Sequence, residues 1–404
     1  MQGMKNARPV VSLQVAVAMC AVLTWMGCST EVDLTAPYNS LPVVYGLLEL
    51  DADTQWVKVN RTWLGEGNQL AAAQTPDSSE YPAGSVQGWI VELNPSSSGQ
   101  IVGDEVPTGK EWMLQETVLD NKETSGIFFG PSQRVYYAVT PPGTSEALRE
   151  DKLYRLELRL PDGKEVNATT TMVESSIGAI AYPPPGVPGF EMGLANLNST
   201  GAASYSDFIF RWNSSPGASL YSASLVVNYT EIYYADDAWT VEDSAVDRSL
   251  SIGLGSRSLT SPDDVVSIEQ TWNTETFFTE LATRLEVNPR VRRELGYYDS
   301  EEEVSKSRAF DFVLQVANQD LAIYLDVNET TNSIVQDRPT WTNIQVTDAA
   351  GVSQGGVGLW GSRTTNSVRN IAYTKHTIQH LQEGDLTANL NFCSPNEASD
   401  YSCE

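Results

Sequence analysis

The chain reads as a mainly β protein, and three observations predict it. Apolar and polar residues alternate with a period of two along several stretches, clusters of Gly, Pro, Ser and Asn separate those stretches, and helical periodicity is confined to two short segments. Alternation of this kind describes strands with one buried and one wetted face, the pattern of antiparallel sandwiches or barrels. Hydrophobic residues make up 41% and aromatic residues 9% of the 404, enough for substantial cores, so a globally disordered chain is excluded. The length predicts two or three domains.

In chain order, the first element is a targeting segment. Lys5 and Arg8 precede an apolar run over residues 10–26, interrupted only by Ser12, Gln14, Cys20 and Thr24, and the run ends in Gly27, Cys28 and Ser29. A charged head, an apolar stretch and a small-residue cleavage site describe an export signal. The run is close to the lower limit for spanning a bilayer, and no later stretch of comparable length lacks charges. Because a cysteine directly follows the small residue, residues 1–27 resemble a bacterial lipoprotein signal, cleaved so that Cys28 becomes the acylated N-terminus. Trp25 departs from that pattern, since small aliphatic residues are usual three before the cysteine. A plain secretory signal and an uncleaved anchor are the alternatives. Residues 28–40 follow as a tether.

Residues 41–174 are expected to form an N-terminal β-sandwich. Tyr154, Leu156, Leu158 and Leu160 alternate with Arg155, Glu157 and Arg159, residues 161–164 supply turn chemistry, and Val166 restarts the run: a hairpin with one buried face. Residues 175–189 are read as a Pro-rich linker, because three consecutive prolines at 183–185 hold the chain extended and cannot continue a central strand. Residues 190–404 are expected to form a second β-rich domain. Strand alternation recurs there at Phe208, Phe210 and Trp212, from Tyr221 to Tyr229, and from Phe310 to Val316. A helical insert is predicted over about 274–295 from Phe277, Phe278, Leu281, Ala282 and Leu285, divided by Pro289. A second short helix is expected from His376 to Glu383, ended by Gly384, and residues 326–339 read as an exposed polar loop.

Charge narrows the partners. With 52 acidic against 25 basic side chains the formal charge is −27, which excludes binding through a nucleic-acid backbone and adsorption to anionic lipid. Loss of residues 1–27, which hold two basic and no acidic residues, would take it to −29. Of four cysteines, Cys20 would leave with the signal and Cys28 would carry lipid. Cys393 and Cys403 then remain to pair as a disulfide, which an exported compartment permits.

The runs VVYGLL at 43–48, VKVNRTWLGEG at 57–67, TNI at 342–344 and GVGLWGSR at 356–363 together resemble a group of outer-membrane lipoproteins of Bacteroidota. The likeness spans most of the chain. It implies an immunoglobulin-like β domain followed by a β-rich region, on a surface lipoprotein associated with large outer-membrane transporters, and it brings no catalytic residues. Glu31 and Asp33 resemble the surface-export signal of such lipoproteins, or are an ordinary acidic tether. Asp243, Ser244 and Ala245 resemble the three-residue O-glycosylation site used in Bacteroidota.

Catalytic motifs are weak. Gly356, Gly358 and Gly361 match G-x-G-x-x-G, but turn and strand residues follow where a dinucleotide site needs a helix N-terminus, so a glycine-rich β turn is expected. His376 and His380 are four apart, as a two-histidine metal site requires, with Glu383 nearby; the glutamate that serves as base in H-E-x-x-H is missing, and an exposed pair without metal is expected. No G-x-S-x-G elbow occurs. Carboxylate pairs are too abundant in so acidic a chain to point to a glycosidase. Tyr229, Tyr233, Tyr234 and Trp239 form the densest aromatic group, a candidate binding patch for a sugar or a protein partner.

The expectation is therefore a non-enzymatic, lipid-anchored outer-membrane protein without metal or cofactor, at the cell surface or on the periplasmic face. It would offer a binding surface to a transport or secretion assembly. A glycan-binding surface lipoprotein is the alternative.

Overall fold

A computed structural model describes residues 39–403 apart from 65–67, 97–100, 102, 104, 175–179, 188, 200–202, 260–264, 300–303, 307–308, 330–340 and 397–399. Residues 1–27, Cys28 and the tether up to residue 38 lie outside the described residues. Strand accounts for 49% and helix for 13%, so the chain is mainly β, as its periodicity predicts.

Residues 41–174 contribute β1 (Pro42–Leu48), β2 (Thr54–Arg61), β3 (Gln87–Leu93), β4 (Pro107–Met113), β5 (Gln115–Leu119), β6 (Gln133–Val139), β7 (Leu153–Arg159) and β8 (Glu165–Thr171), with short helices α1 (Gln69–Ala73) and α2 (Pro76–Ser79). Then come β9 (Ile180–Tyr182), β10 (Glu191–Met192), β11 (Asn196–Leu197), β12 (Ala203–Ser204), β13 (Asp207–Asn213), β14 (Ala218–Tyr234), β15 (Glu242–Ser258) and β16 (Ser267–Asn273). Helix α3 (Glu275–Arg284) leads to β17 (Val291–Leu295), β18 (Tyr297–Asp299), β19 (Val304–Lys306) and β20 (Phe310–Asn318), and α4 (Gln319–Glu329) follows directly. The chain ends with β21 (Gln345–Thr347), β22 (Ser353–Gly355), β23 (Val357–Tyr373), α5 (Lys375–Glu383) and β24 (Phe392–Cys393).

Two cores result. In the first, Val44, Leu48, Val57 and Val59 on β1 and β2 pack with Ile90, Leu156, Leu158 and Val166 of the sheet β22-β21-β8-β7-β3-β4. In the second, Tyr221, Leu225, Phe312 and Leu314 on β14 and β20 pack with Phe210, Trp212 and Trp272 of the sheet β16-β13-β9, while Phe277, Phe278 and Leu281 on α3 and Leu381 on α5 close its flank. Phe210 stacks on Phe312 with ring centroids 4.8 Å apart.

The division at 175–189 separates most of each core, yet Ile344, Val346 and Trp360 return to the first one. β21 pairs antiparallel with β8, and β23 pairs parallel with β1 from Val43↔Val357 to Leu48↔Ser362. The N-terminal sandwich is thus completed by residues from the C-terminal third, because residues 41–174 leave the β1 edge for β23 to cover. The helical insert also differs from expectation: the helix stops at Arg284, and Val291–Leu295 is a strand with alternating burial that pairs with β14. Pro289 lacks the N–H a helix needs, and past it the period changes from helical to two. Helix α4, which the sequence reading placed partly in a loop, caps itself with Asn318, whose Oδ1 accepts from Leu321 N at 3.1 Å. Helix α5 spans the residues expected of it.

Trp360 joins the long-range elements. Its ring is fully buried and lies against Gly46, where an added Cβ would come within 2.5 Å of ring carbon Cζ3. Nε1 donates to the Tyr154 carbonyl at 3.0 Å, while Asn343 brackets its backbone by accepting from Trp360 N at 3.0 Å and donating to Trp360 O at 2.6 Å. Gly358, at φ +117°, allows the close approach, since a Cβ there would meet the Val44 carbonyl oxygen at 1.8 Å. Trp360→Ala is expected to lower stability by about 3–5 kcal/mol, read from chemical denaturation.

Where the two cores meet, a polar network ties them. Asn318 Nδ2 donates to Thr170 Oγ1 at 2.7 Å and to the Thr171 carbonyl at 3.1 Å, and Ser362 Oγ donates to the same carbonyl at 2.7 Å. Thr170 Oγ1 donates to Asp320 at 2.9 Å. Burial pushes the Asp320 carboxyl up to about 6, with the hydrogen bonds from Thr170 and Asn318 opposing the rise. An unfolded chain releases this proton near pH ~3.9 while the folded one keeps it to higher pH, so the contribution to stability is present at low pH and falls as pH rises through the folded value. Asp320→Asn keeps an acceptor for both donors and removes the charge. Its thermal midpoint is expected above that of the parent at about pH 7.5 and level with it below about pH 4, measured by circular dichroism.

Candidate functional site

The aromatic group singled out in sequence sits at the far end of the β14–β15 hairpin, and the structure corrects its role as an exposed patch. Tyr229 is buried in the second core, edge-on to Phe392 at 5.8 Å, and Tyr234 is buried as well. Tyr233 is half-buried, its hydroxyl donating to Glu231 at 2.8 Å. Only Trp239 is substantially exposed, at 36%. The reason is local coverage: Phe392 from the chain end packs against Tyr229, and Trp239 and Arg292 lie over Tyr234, so proximity along the sequence did not become a shared surface.

These rings instead anchor the C-terminus. Trp239 stacks on Tyr234 with centroids 5.8 Å apart, and the Arg292 guanidinium lies 5.4 Å from the Tyr234 ring centre. Trp239 Nε1 donates to the Pro289 carbonyl at 2.7 Å, and the turn before it is held by Asp236, which accepts from Ala238 N and Thr240 N. Arg292 Nη1 donates to the Cys403 carbonyl at 3.3 Å. Cys403 is bonded to Cys393, with Cα atoms 5.0 Å apart, as the cysteine count suggested. Next to this stack, the buried Arg293 donates to the Leu390 and Glu286 carbonyls and pairs with Glu231 at 3.0 Å. Burial works against the charge of Glu231, but hydrogen bonds from Tyr233, Arg248 and Arg293 hold its carboxyl below the ordinary range.

The two histidines do not converge. His376 is exposed on α5, whereas His380 is half-buried, edge-on to Phe278 at 4.6 Å, with Nε2 hydrogen-bonded to the Tyr205 hydroxyl. Burial lowers its pKa, with Asp385 opposing. Among the described residues no group of three or more His, Cys, Asp or Glu side chains could hold a metal ion. The glycine motif lies at the start of β23, where Gly358 serves the pairing with β1.

A cleft of about 280 Å³ lies elsewhere, on the outer face of β1 and β2. Of its residues, Tyr45, Leu47, Lys58 and Arg363 fall in the runs that carry the resemblance, whereas Glu49, Gln55 and Trp56 lie outside them. Alternation turns Tyr45 and Leu47 of β1, and Trp56 and Lys58 of β2, away from the core, and cross-strand register places Tyr45 opposite Lys58 and Leu47 opposite Trp56. Tyr45 is 38% and Trp56 44% exposed. Trp56 is also directly opposite Tyr137 on β6, with ring centroids 5.4 Å apart. Behind the cleft, Tyr324 of α4 meets Tyr45 hydroxyl to hydroxyl at 3.1 Å. Burial, and then that hydrogen bond, pushes the Tyr45 hydroxyl up to about 12, so it stays protonated. Arg363, arriving on β23, pairs with Glu49 at the rim. Gln55 holds the rim turn: it accepts from Glu49 N at 2.9 Å and donates to the carbonyls of Glu49 and Ala52 and to Thr140 Oγ1. The available signal was parity, because aromatic rings occupy positions that alternation reserves for polar residues.

The second exposed feature is an edge. β15 pairs with β14 along its length, and among the described residues no other strand pairs with it. Residues 242–249 are all exposed. Among the described residues no helix is long and apolar enough to cross a membrane. No family model matches the chain, and no curated protein matches it.

Proposed function

We propose that the chain is a non-enzymatic, lipid-anchored outer-membrane protein that supplies a binding surface to a membrane partner, a transport or secretion assembly. The observation that carries the binding role is the open β15 edge. Edge strands present unpaired N–H and C=O groups that another chain can extend, and protein folds ordinarily shield them. Here Glu242, Asp243 and Asp247 stand on the exposed stretch, while its one basic residue, Arg248, is engaged with Glu231 at 3.1 Å. Acidic edges repel one another, which disfavours self-association and favours an extended segment rich in Lys and Arg. The lipid anchor rests on the signal-like segment before Cys28 and on the resemblance to Bacteroidota lipoproteins.

Two measurements test these parts separately. Cys28→Ala is expected to abolish incorporation of labelled palmitate and to move the protein from the membrane pellet to the supernatant; an unchanged pellet fraction overturns the anchor. Detergent extraction of the full-length chain is expected to recover one integral membrane partner in stoichiometric amount. Glu242→Lys combined with Asp243→Lys is expected to cut that recovery by about tenfold, through like-charge repulsion at the edge. Equal recovery with the lysine variant overturns the edge as the interface.

A further inference from the structure

The cleft between Tyr45, Trp56 and Arg363 has the chemistry of a site for one class of small molecule. We infer that it binds a sugar ring, the terminal or internal residue of a neutral carbohydrate, independently of any partner on the β15 edge. At about 280 Å³ it sits at the small end of ligand sites and has room for a single ring. Trp56 presents an apolar face, tilted 41° from Tyr137, and a pyranose offers a matching face of axial C–H bonds. Such a surface is poor for an aliphatic chain, because Lys58, Glu49 and Arg363 line the same cleft.

Charge selects among ligands that stack. A cationic ligand would have to take Glu49 from Arg363, and an anionic one would have to take Arg363 from Glu49 or Lys58 from Glu80 and the Arg134 carbonyl. A neutral polyol meets neither objection, since each hydroxyl both donates and accepts. Adjacent hydroxyls can accept from the guanidinium of Arg363 and donate to the carboxylate of Glu49, whose side chains remain 43% and 29% exposed within their ion pair. The site is also built in advance. Gln55 is 1% exposed and spends its carboxamide on fixing the rim turn, and Tyr324 fixes the Tyr45 hydroxyl, so little ordering is left for binding.

Saturation-transfer NMR on the full-length chain in detergent tests this, with the methyl glycosides of glucose, galactose, mannose and N-acetylglucosamine as probes, and choline and adenosine as controls. Transfer to the ring C–H protons of at least one glycoside is expected, with none to choline. Trp56→Ala and Arg363→Met are each expected to weaken that glycoside by about tenfold or more, with Trp56→Phe weaker in effect and Trp239→Ala without effect. Because both cleft residues are exposed, thermal midpoints of the variants are expected within about 2 °C of the parent, which separates lost binding from lost folding. The inference is overturned by transfer to none of the glycosides, by glycoside binding that survives Trp56→Ala, or by Trp56-dependent binding of choline or adenosine in their place.

Discussion

The structure depends on one strand that belongs to two cores. β23 pairs parallel with β1 through residues 357–362 and antiparallel with β20 through residues 363–371, so the same backbone serves both cores and sits centrally in the one sheet β24-β17-β14-β20-β23-β1-β2-β6-β5. Parallel pairing requires the two backbones to approach without side-chain interference, and Gly358 and Gly46 remove it while Trp360 fills the space over Gly46. The partners are about 300 residues apart, but the entropy of closing a loop grows only with the logarithm of its length. Burial of one tryptophan, with its N–H satisfied by Tyr154, offsets that cost in a way a short polar contact would not.

The outer face beside β1 is shaped by β23 and by the helix that follows β20. Leaving β20, the chain turns at Asn318 into α4, which lies across β23 and brings Tyr324 beside Tyr45. The same strand delivers Arg363 to Glu49. The cleft is thus assembled from β1, β2 and β23, with α4 holding Tyr45 through Tyr324, and it rests on the same pairing that joins the cores. At the other end of the sheet, the disulfide, Arg292, Tyr234 and Trp239 fasten the chain terminus, and residues 242–249 of β15 stay exposed. The two candidate surfaces therefore arise from different elements, one a face and the other an edge.

Part of this was legible in the residues. Period-two alternation identified strands such as β7, β14 and β20, glycine and proline marked turns, and Gly384 marked the end of α5. The runs at 43–48, 342–344 and 356–363, quoted separately for their resemblance, prove to be neighbours: Asn343 brackets Trp360, which lies over Gly46. The aromatic group at 229–239 misled because density along a strand says nothing about coverage. Trp56 and Tyr45 escaped notice because they are outward-facing positions in otherwise ordinary strands.

By itself, the sequence determined the class of secondary structure, the positions of several strands, the pairing of the last two cysteines and the acidic character of the surface. Those are local or additive properties: alternation follows from the pleat, turns from allowed backbone angles, and charge from a count. Only the tertiary structure decided that β1 takes β23 as its parallel neighbour, that Tyr234 is buried while Trp56 is not, and that Arg363 meets Glu49. Each of these turns on which surfaces exclude water together, and that is set between residues distant along the chain, where no local period carries the information.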